Sequence, residues 1–268
     1  MELWADRAFL RDVQYRTDAN LAARQSIYAY QQPPVDLVGR VLDLALRADH
    51  GTEVIADIGC GNGLYLAELA HRGYAAHLIG ADLSPGMLRA TRQRMRDAGL
   101  GAPALLGADA SALPLRDGCA DLTLAMHMLY HVPSPELAVR ELRRITRPGG
   151  WLMIGLNGRD HHQELRQLIT AALASLGHDP VPLVSDRFDL DRGEILLRRV
   201  FTSVTRHDFQ TTLMLPDAEP VAAYVRSMSV ASEFADPGRL VRAVTSRLPT
   251  GSGAPFQDTS HSGCLICV

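Results

Sequence analysis

Apolar positions along this chain change their spacing several times, and the changes mark its elements. Val54, Ile55, Ala56 and Ile58 form a short apolar run of strand type, interrupted only by Asp57. Glycines follow at alternate positions, Gly59, Gly61 and Gly63. Beyond Leu64 the spacing turns helical, with Leu66, Leu69 and Ala70 on one face. A strand, a glycine turn and a helix in succession place the turn at the carboxyl edge of a parallel sheet, where doubly wound folds bind ligands. Glycine at 59, 61 and 63 lets backbone meet a ligand without an intervening Cβ.

The same reading predicts further strands at 76–81 (ending at Asp82), 104–107, 120–125 and 151–156. Helices are predicted at 86–98 and 135–146, and 147–150 reads as an Arg-Pro-Gly-Gly turn. Ser84 and Ser134 sit as N-caps, each followed by proline at the first helical position. Five strands alternating with helices predict a parallel sheet covered on both faces. Upstream, residues 1–32 read as helical in two pieces, Pro33-Pro34 breaks them, and 35–48 is helical again (Leu37, Val41, Leu44, Ala45). Downstream, helical segments are predicted from Asn157 to about Leu176 and over 188–200. Strand character returns at 201–210 and 261–268, with a helical stretch over 216–248 interrupted at Pro237-Gly238.

Composition narrows the function. With 268 residues, 47% of them hydrophobic, the chain can bury a substantial core. Apolar runs are too short for a membrane span and the N-terminus lacks a basic-then-apolar order, so a cytoplasmic protein is expected. A net charge of −3 leaves no basic footprint for nucleic acid. All 27 basic residues are arginine, which excludes a Walker-A lysine, a kinase lysine and Schiff-base chemistry. Cys60, Cys119, Cys264 and Cys267 are too few and scattered for a disulfide framework. Cys264 and Cys267, three apart on a strand, are expected on opposite faces.

Asp57 bears on the choice of ligand. A dinucleotide turn reads G-x-G-x-x-G and offers helix N-terminal amides to a pyrophosphate. Here the third glycine comes one residue early, and a carboxylate stands beside the turn, as suits a ligand carrying an amine or a sulfonium. Asp82 lies 23 residues after Gly59, where an acid can accept hydrogen bonds from ribose hydroxyls.

From 54 to 157 the chain resembles the class I S-adenosylmethionine-dependent methyltransferases. The resemblance rests on Asp57/Gly59/Gly61/Gly63, on Asp82 with Leu83-Ser84-Pro85-x-Met87-Leu88, on Gly107-Ala108-Asp109-Ala110 with Leu113-Pro114, and on Arg147-Pro148-Gly149-Gly150. It implies a Rossmann-like seven-stranded α/β sheet with helices on both faces, the stretches 201–210 and 261–268 forming an antiparallel closing pair. The glycine turn would meet the methionine part of the cofactor, Asp82 the ribose and Asp109 the adenine amine, with Ala110 beside it. Cofactor contacts are expected from Asp57, Gly59, Cys60, Gly61, Asp82, Leu83, Met87, Asp109, Ala110 and, through backbone, Met126.

More loosely, the remainder is similar to the small-molecule members, including the quinone-biosynthesis group. Residues 1–34 are expected to form a helical lid, with Tyr15 and Arg24 as further cofactor contacts, Arg24 toward the cofactor carboxylate. Residues 35–268 would form the methyltransferase domain, with a cofactor core at about 50–157 and a helical substrate cap at about 211–250. Methyl transfer from a sulfonium chiefly needs alignment and exclusion of water, so a base is optional. The loop after the fourth strand holds the base candidates His127 and His131. A backbone hydrogen bond holding the loop is the plainer role for His131. Their H-x-x-x-H spacing lacks an intervening glutamate and a third ligand, so no metal is expected. His161, His162 and Glu164 open the helix after the fifth strand, where members of that family often place acceptor contacts, and an exposed polar helix start is the plainer reading for each. The expected partner is a small-molecule methyl acceptor. An NAD-dependent oxidoreductase, an RNA methyltransferase and a non-catalytic S-adenosylmethionine-binding module stand as alternatives.

Overall fold

The computed structural model describes residues 5–46, 52–74, 77–180, 184–249 and 254–268. Its centre is a single sheet in the order β1-β7-β8-β6-β5-β2-β3-β4. The strands are β1 Gln31–Gln32, β2 Val54–Ile58, β3 His77–Asp82, β4 Ala104–Gly107, β5 Ala120–Met126, β6 Thr146–Asn157, β7 Val204–Leu215 and β8 Phe256–Cys267. Strands β2 to β6 run parallel, and β8 lies antiparallel between β6 and β7. The seven strands implied by the resemblance are present. Gln31 and Gln32, read as helical, instead pair antiparallel with the outer edge of β7 and make an eighth.

Helices α1 Arg7–Phe9, α2 Ala19–Ser26, α3 Leu37–Leu46, α4 Leu64–His71, α5 Pro85–Asp97 and α6 Pro135–Ile145 precede or join the parallel strands. After β6 come α7 Gln163–Ser175, α8 Val184–Arg187 and α9 Leu190–Leu197, and between β7 and β8 lie α10 Ala218–Arg226 and α11 Pro237–Thr245. The predicted caps form. Ser84 Oγ accepts the Gly86 and Met87 N–H groups, and Ser134 Oγ accepts Leu137 N–H at the start of α6. No described helix is long and apolar enough to cross a membrane.

Strands buried on both faces need apolar residues on both, which explains the unbroken runs in β2 and β5. Ile55, Leu122, Leu124 and Met153 pack toward α3 and α4, while Ala56, Ile58, Ile154 and Leu156 face α6 and α9. Cys264 and Cys267 fall in these two opposite clusters, both buried and unbridged. A third cluster joins Ile27, α7, the far end of β7, α10 and α11, so the helices inserted between β7 and β8 have a core of their own.

Two local expectations are corrected. No helix joins β4 to β5. The crossing is an irregular segment with a short bridge between Asp109 and Ala112, because 108–119 carries small residues and turn formers without helical spacing. The Arg147–Gly150 turn lies inside β6. Ala120 pairs with Thr146 and Leu122 with Trp151, so the Pro-Gly-Gly excursion stands opposite Asp121 alone, as a bulge with Gly149 at φ 73°. The Arg147 guanidinium pairs with Asp121, whose other oxygen accepts the Glu53 and Val54 N–H groups. That knot ties β6 to the base of β2.

Candidate active site

The carboxyl ends of β2, β3, β5 and β6 open into one cavity of about 500 Å³. Asp57, Gly59, Cys60, Gly61, Asp82, Leu83, Met87, Asp109, Ala110, Met126, His127 and His131 line it, whereas Gly63, expected at the ligand, faces Thr91 instead. Tyr15 and Arg24 close over it.

The glycine turn is built by backbone geometry. Gly59, Gly61 and Gly63 have φ of 71°, 54° and 75°, in the left-handed region that side chains oppose. Gly59 N–H donates to Ala81 O at 2.7 Å, and Thr91 Oγ1 donates to Gly61 O at 2.8 Å. Asp82 Oδ2 accepts Gly61 N–H at 2.9 Å while Oδ1 accepts Ser84 N–H at 2.8 Å, so one carboxylate fixes both loops. Burial raises the Asp82 carboxyl, and these two N–H groups pull it back down. Asp109 Oδ1 accepts Ser111 N–H, and its Oδ2 pairs with Arg7 Nε at 2.7 Å. The acid expected at adenine is therefore already bridged to the N-terminal helices.

Asp57 departs from expectation. It was read as a fixed negative charge, yet its side chain is 1% exposed, and burial, reinforced by the charge of Asp82, pushes its carboxyl up to about 7. Burial thus favours its protonated form well above the usual carboxylate range, and a cation beside it favours the ionised form.

Residues 5–30 cover the turn. A Cβ on Gly61 would lie 3.1 Å from Leu21 Cδ2, so α2 rests directly on the glycine loop. Ser84 Oγ donates to Tyr15 O at 2.7 Å, and Asn62 Nδ2 donates to Gln25 Oε1 at 3.0 Å. The same segment reaches the helices beyond β7, because Gln14 Nε2 and Arg24 Nη1 both donate to Ser227 O. Arg24 Nη2 also donates to the Tyr15 hydroxyl, which meets His131 Nε2 at 2.8 Å. The His131 ring thus ties the loop after β5 to Tyr15. His127 sits at φ 55° with its N–H on Gly155 O, and burial lowers its imidazole to about 4 despite a hydrogen bond with Asn157. It is neutral at pH 7 and weakly basic.

His161 and His162, read as an exposed helix start, are 4% and 1% exposed and line the cavity with Tyr28, Tyr224 and Met228. Their burial follows from docking on β8, where His162 N–H donates to Thr259 O at 2.7 Å. Asp258, Ser260 and Ser262, two apart on β8, share a buried face, but every residue from Gln257 to Ser262 is polar, so no alternation in the sequence marks that face.

The carboxylates of Asp57, Asp82 and Asp109 stand in sequence along the strand ends, with Arg24 opposite. This donor and acceptor set fits a ligand bearing a cationic centre, ribose hydroxyls, an adenine amine and a carboxylate. Residues 56–154 match the methyltransferase domain family. Over 225 residues the chain is 30% identical to a malonyl-[acyl-carrier protein] O-methyltransferase of Geobacter sulfurreducens, covering 83% of this chain and 80% of the relative. It is 28% identical to a demethylmenaquinone methyltransferase of Clavibacter sepedonicus, covering 74% and 73%. Among solved structures, a Bacillus halodurans C-125 protein superposes with a TM-score of 0.62 at 16% identity, over 87% of this chain and 98% of that one, a likeness of fold. The chain belongs to the class I S-adenosylmethionine-dependent methyltransferases. It is a methyltransferase enzyme with S-adenosylmethionine as methyl donor, which sets the oxidoreductase reading aside.

Proposed function

We propose that this methyltransferase acts on a small molecule held in the half of the cavity between the strand ends and the cap. The observation that carries the reading is the lining of that half. Tyr28, Tyr224, Met228 and Val230 approach from the covering helices and face Asn157 and Ser262 on the sheet. Such a space takes a compact, largely apolar acceptor with a few polar groups. The demethylmenaquinone relative, named for a quinone acceptor, supports it, as does a net charge of −3, poorly suited to a polynucleotide. In this reading residues 1–34 act as a lid over the donor half, and the helices within 211–250 cap the acceptor half.

S-adenosylmethionine supplies an electrophilic methyl carbon and a neutral leaving group. The chain's task is to place the acceptor and exclude water. Asp82 would hold the ribose hydroxyls and Asp109 the adenine amine, Asp57 would face the cationic centre, and Arg24 the carboxylate.

Calorimetric titration with S-adenosylhomocysteine, with NADH as control, tests the donor half. Micromolar-range binding is expected with the product cofactor and none with NADH. Asp82→Ala also orphans the Gly61 and Ser84 N–H groups, and is expected to weaken binding roughly 10- to 100-fold, the worth of a charge-assisted hydrogen bond. Undiminished binding by the variant would remove Asp82 from the site. A metabolite screen with wild-type protein then tests the acceptor class, and turnover of RNA alone would overturn it.

A further inference from the structure

Two adjacent histidines at the start of α7 are wired differently. His161 Nδ1 accepts the His261 N–H at 3.0 Å, so its proton sits on Nε2 and is donated to the Tyr28 hydroxyl at 3.1 Å. Both of its nitrogens are committed, and burial beside other histidines holds it neutral. It has no lone pair to offer a substrate.

His162 is the reverse. Its Nδ1 lies 2.6 Å from Asp258 Oδ2, with both side chains almost fully buried. Asp258 Oδ1 accepts Leu165 N–H at 2.9 Å. A carboxylate only accepts, so the ring proton belongs on Nδ1 and Nε2 carries the lone pair. Nε2 is buried and meets no hydrogen-bond partner among the described residues. A buried polar atom left without a hydrogen bond is unfavourable, so a folded protein rarely keeps one. The segment adds strain, with His162 held at φ 56° by its bond to Thr259 O and by Glu164, whose carboxylate takes Thr259 N–H at 2.7 Å. An orphaned nitrogen, a strained backbone and an oriented carboxylate partner concentrate at one residue on the wall of the cavity.

We infer that His162, oriented by Asp258, is the general base of the transfer, and that the acceptor presents a phenolic hydroxyl. This rests on the small-molecule reading and specifies its acceptor. The hydroxyl donates to Nε2. As its proton moves to the imidazole, the acceptor oxygen takes the methyl carbon, and the carbon–sulfur bond breaks with its electron pair staying on sulfur. The imidazolium, stabilised by Asp258, returns the proton to solvent. A phenol matches this base, since its acidity is close enough to imidazole for proton transfer to accompany attack, and a carboxylate acceptor would have no use for it. The aromatic lining, with the Tyr224 ring edge-on to His162 at 4.8 Å, suits a phenol ring. Asp258 from β8, Tyr28, Tyr224 from α10, and His161, Glu164 and Arg166 of its own segment are the titratable and charged groups around His162, and among the described residues only Asp258 makes a hydrogen bond to its ring.

The test uses full-length protein labelled with nitrogen-15 at histidine and saturated with S-adenosylhomocysteine. His162 is expected to show a protonated Nδ1 and a bare Nε2 at pH 7. These signals should be lost in His162→Gln, and Asp258→Asn should redistribute the proton between the ring nitrogens. With catechol as acceptor probe, His162→Gln is expected to lower kcat about 100-fold, the usual scale of a general base, with donor KM unchanged. Asp258→Asn is expected to move the acid limb of the pH–rate profile. Retained S-adenosylhomocysteine affinity certifies folding, with His162→Asn as a second variant. A proton resident on Nε2, wild-type catechol turnover in the variants, or methylation of aniline in preference to catechol would overturn the inference. Failure of wild-type protein to bind S-adenosylhomocysteine would instead remove the reading beneath it.

Discussion

Replacing Asp57 by asparagine is expected to raise the melting temperature of the ligand-free protein at pH 8 and to change it far less near pH 4. The sign follows from linkage. The native carboxyl, at about 7, lies above its unfolded value of 3.8, so the folded state holds the proton more tightly between them. Stability from this group is therefore fully present below about pH 4 and is lost as pH rises through about 7. At 1.36 kcal/mol per unit the cost of the ionised form at pH 8 is on the order of 2–4 kcal/mol, worth roughly 5–10 °C in a protein of this size. His127 runs the other way. Its native value of about 4 lies below 6.5, so it adds stability as pH climbs between the two. The wild-type pH profile blends both, and only the difference between wild type and Asp57→Asn isolates the carboxylate. Thermal melts from pH 4 to 8 measure it, and a difference flat in pH would show that Asp57 is an ordinary ionised acid in the native protein. The same variant is expected to bind S-adenosylmethionine more weakly, and wild-type binding near pH 6 should release a proton to buffer.

A single methyl at Gly86 is expected to undock the N-terminal segment while leaving the sheet intact. Gly86 lies in the first turn of α5, where alanine ordinarily favours a helix by about 0.5–1 kcal/mol. Here a Cβ would overlap the Arg16 carbonyl oxygen and lie 2.7 Å from that of Tyr15. Those are backbone atoms, which cannot turn aside as a side chain can. Relief requires residues 15 and 16 to lift, which breaks the bond from Ser84 Oγ to Tyr15 O and draws Tyr15 away from His131. Overpacking of this kind costs about 1–3 kcal/mol, here charged to closure. Gly86→Ala is expected to raise hydrogen exchange over residues 5–30 and to weaken S-adenosylhomocysteine binding roughly 30-fold, with the melting temperature of the ligand-free protein unchanged or slightly higher. Wild-type exchange across that segment would show that the close approach is not what holds it.

Much of the donor half was legible in the sequence because its constraints are local. Gly59, Gly61 and Gly63 are required by their own backbone angles, Ser84 and Pro85 by the helix they start, and Asp82 by its place at a strand end. Each can be read within a few residues of itself. The half proposed to take the acceptor obeys constraints between distant parts of the chain. His162 becomes informative only when Asp258, far along the chain, lies against it, and a pair of histidines before Gln163 and Glu164 looks like any solvated helix start. Asp57 failed for the same reason, since its type and position were readable but its burial, which sets its charge, belongs to the assembled fold. The Arg147–Gly150 excursion was legible as a turn, but its absorption into β6 depended on Asp121 across the strand pair.

The position of β8 also governs how the protein is made. It follows both of its neighbours in sequence and lies inside the sheet, bonded to β6 on one side and β7 on the other. During synthesis β6 emerges from the ribosome long before the strand that seals it, so both neighbours present open edges until residues 256–267 follow. A nascent chain at that stage already holds the glycine turn, Asp82 and Asp109, yet lacks Asp258 and the docking surface for His162.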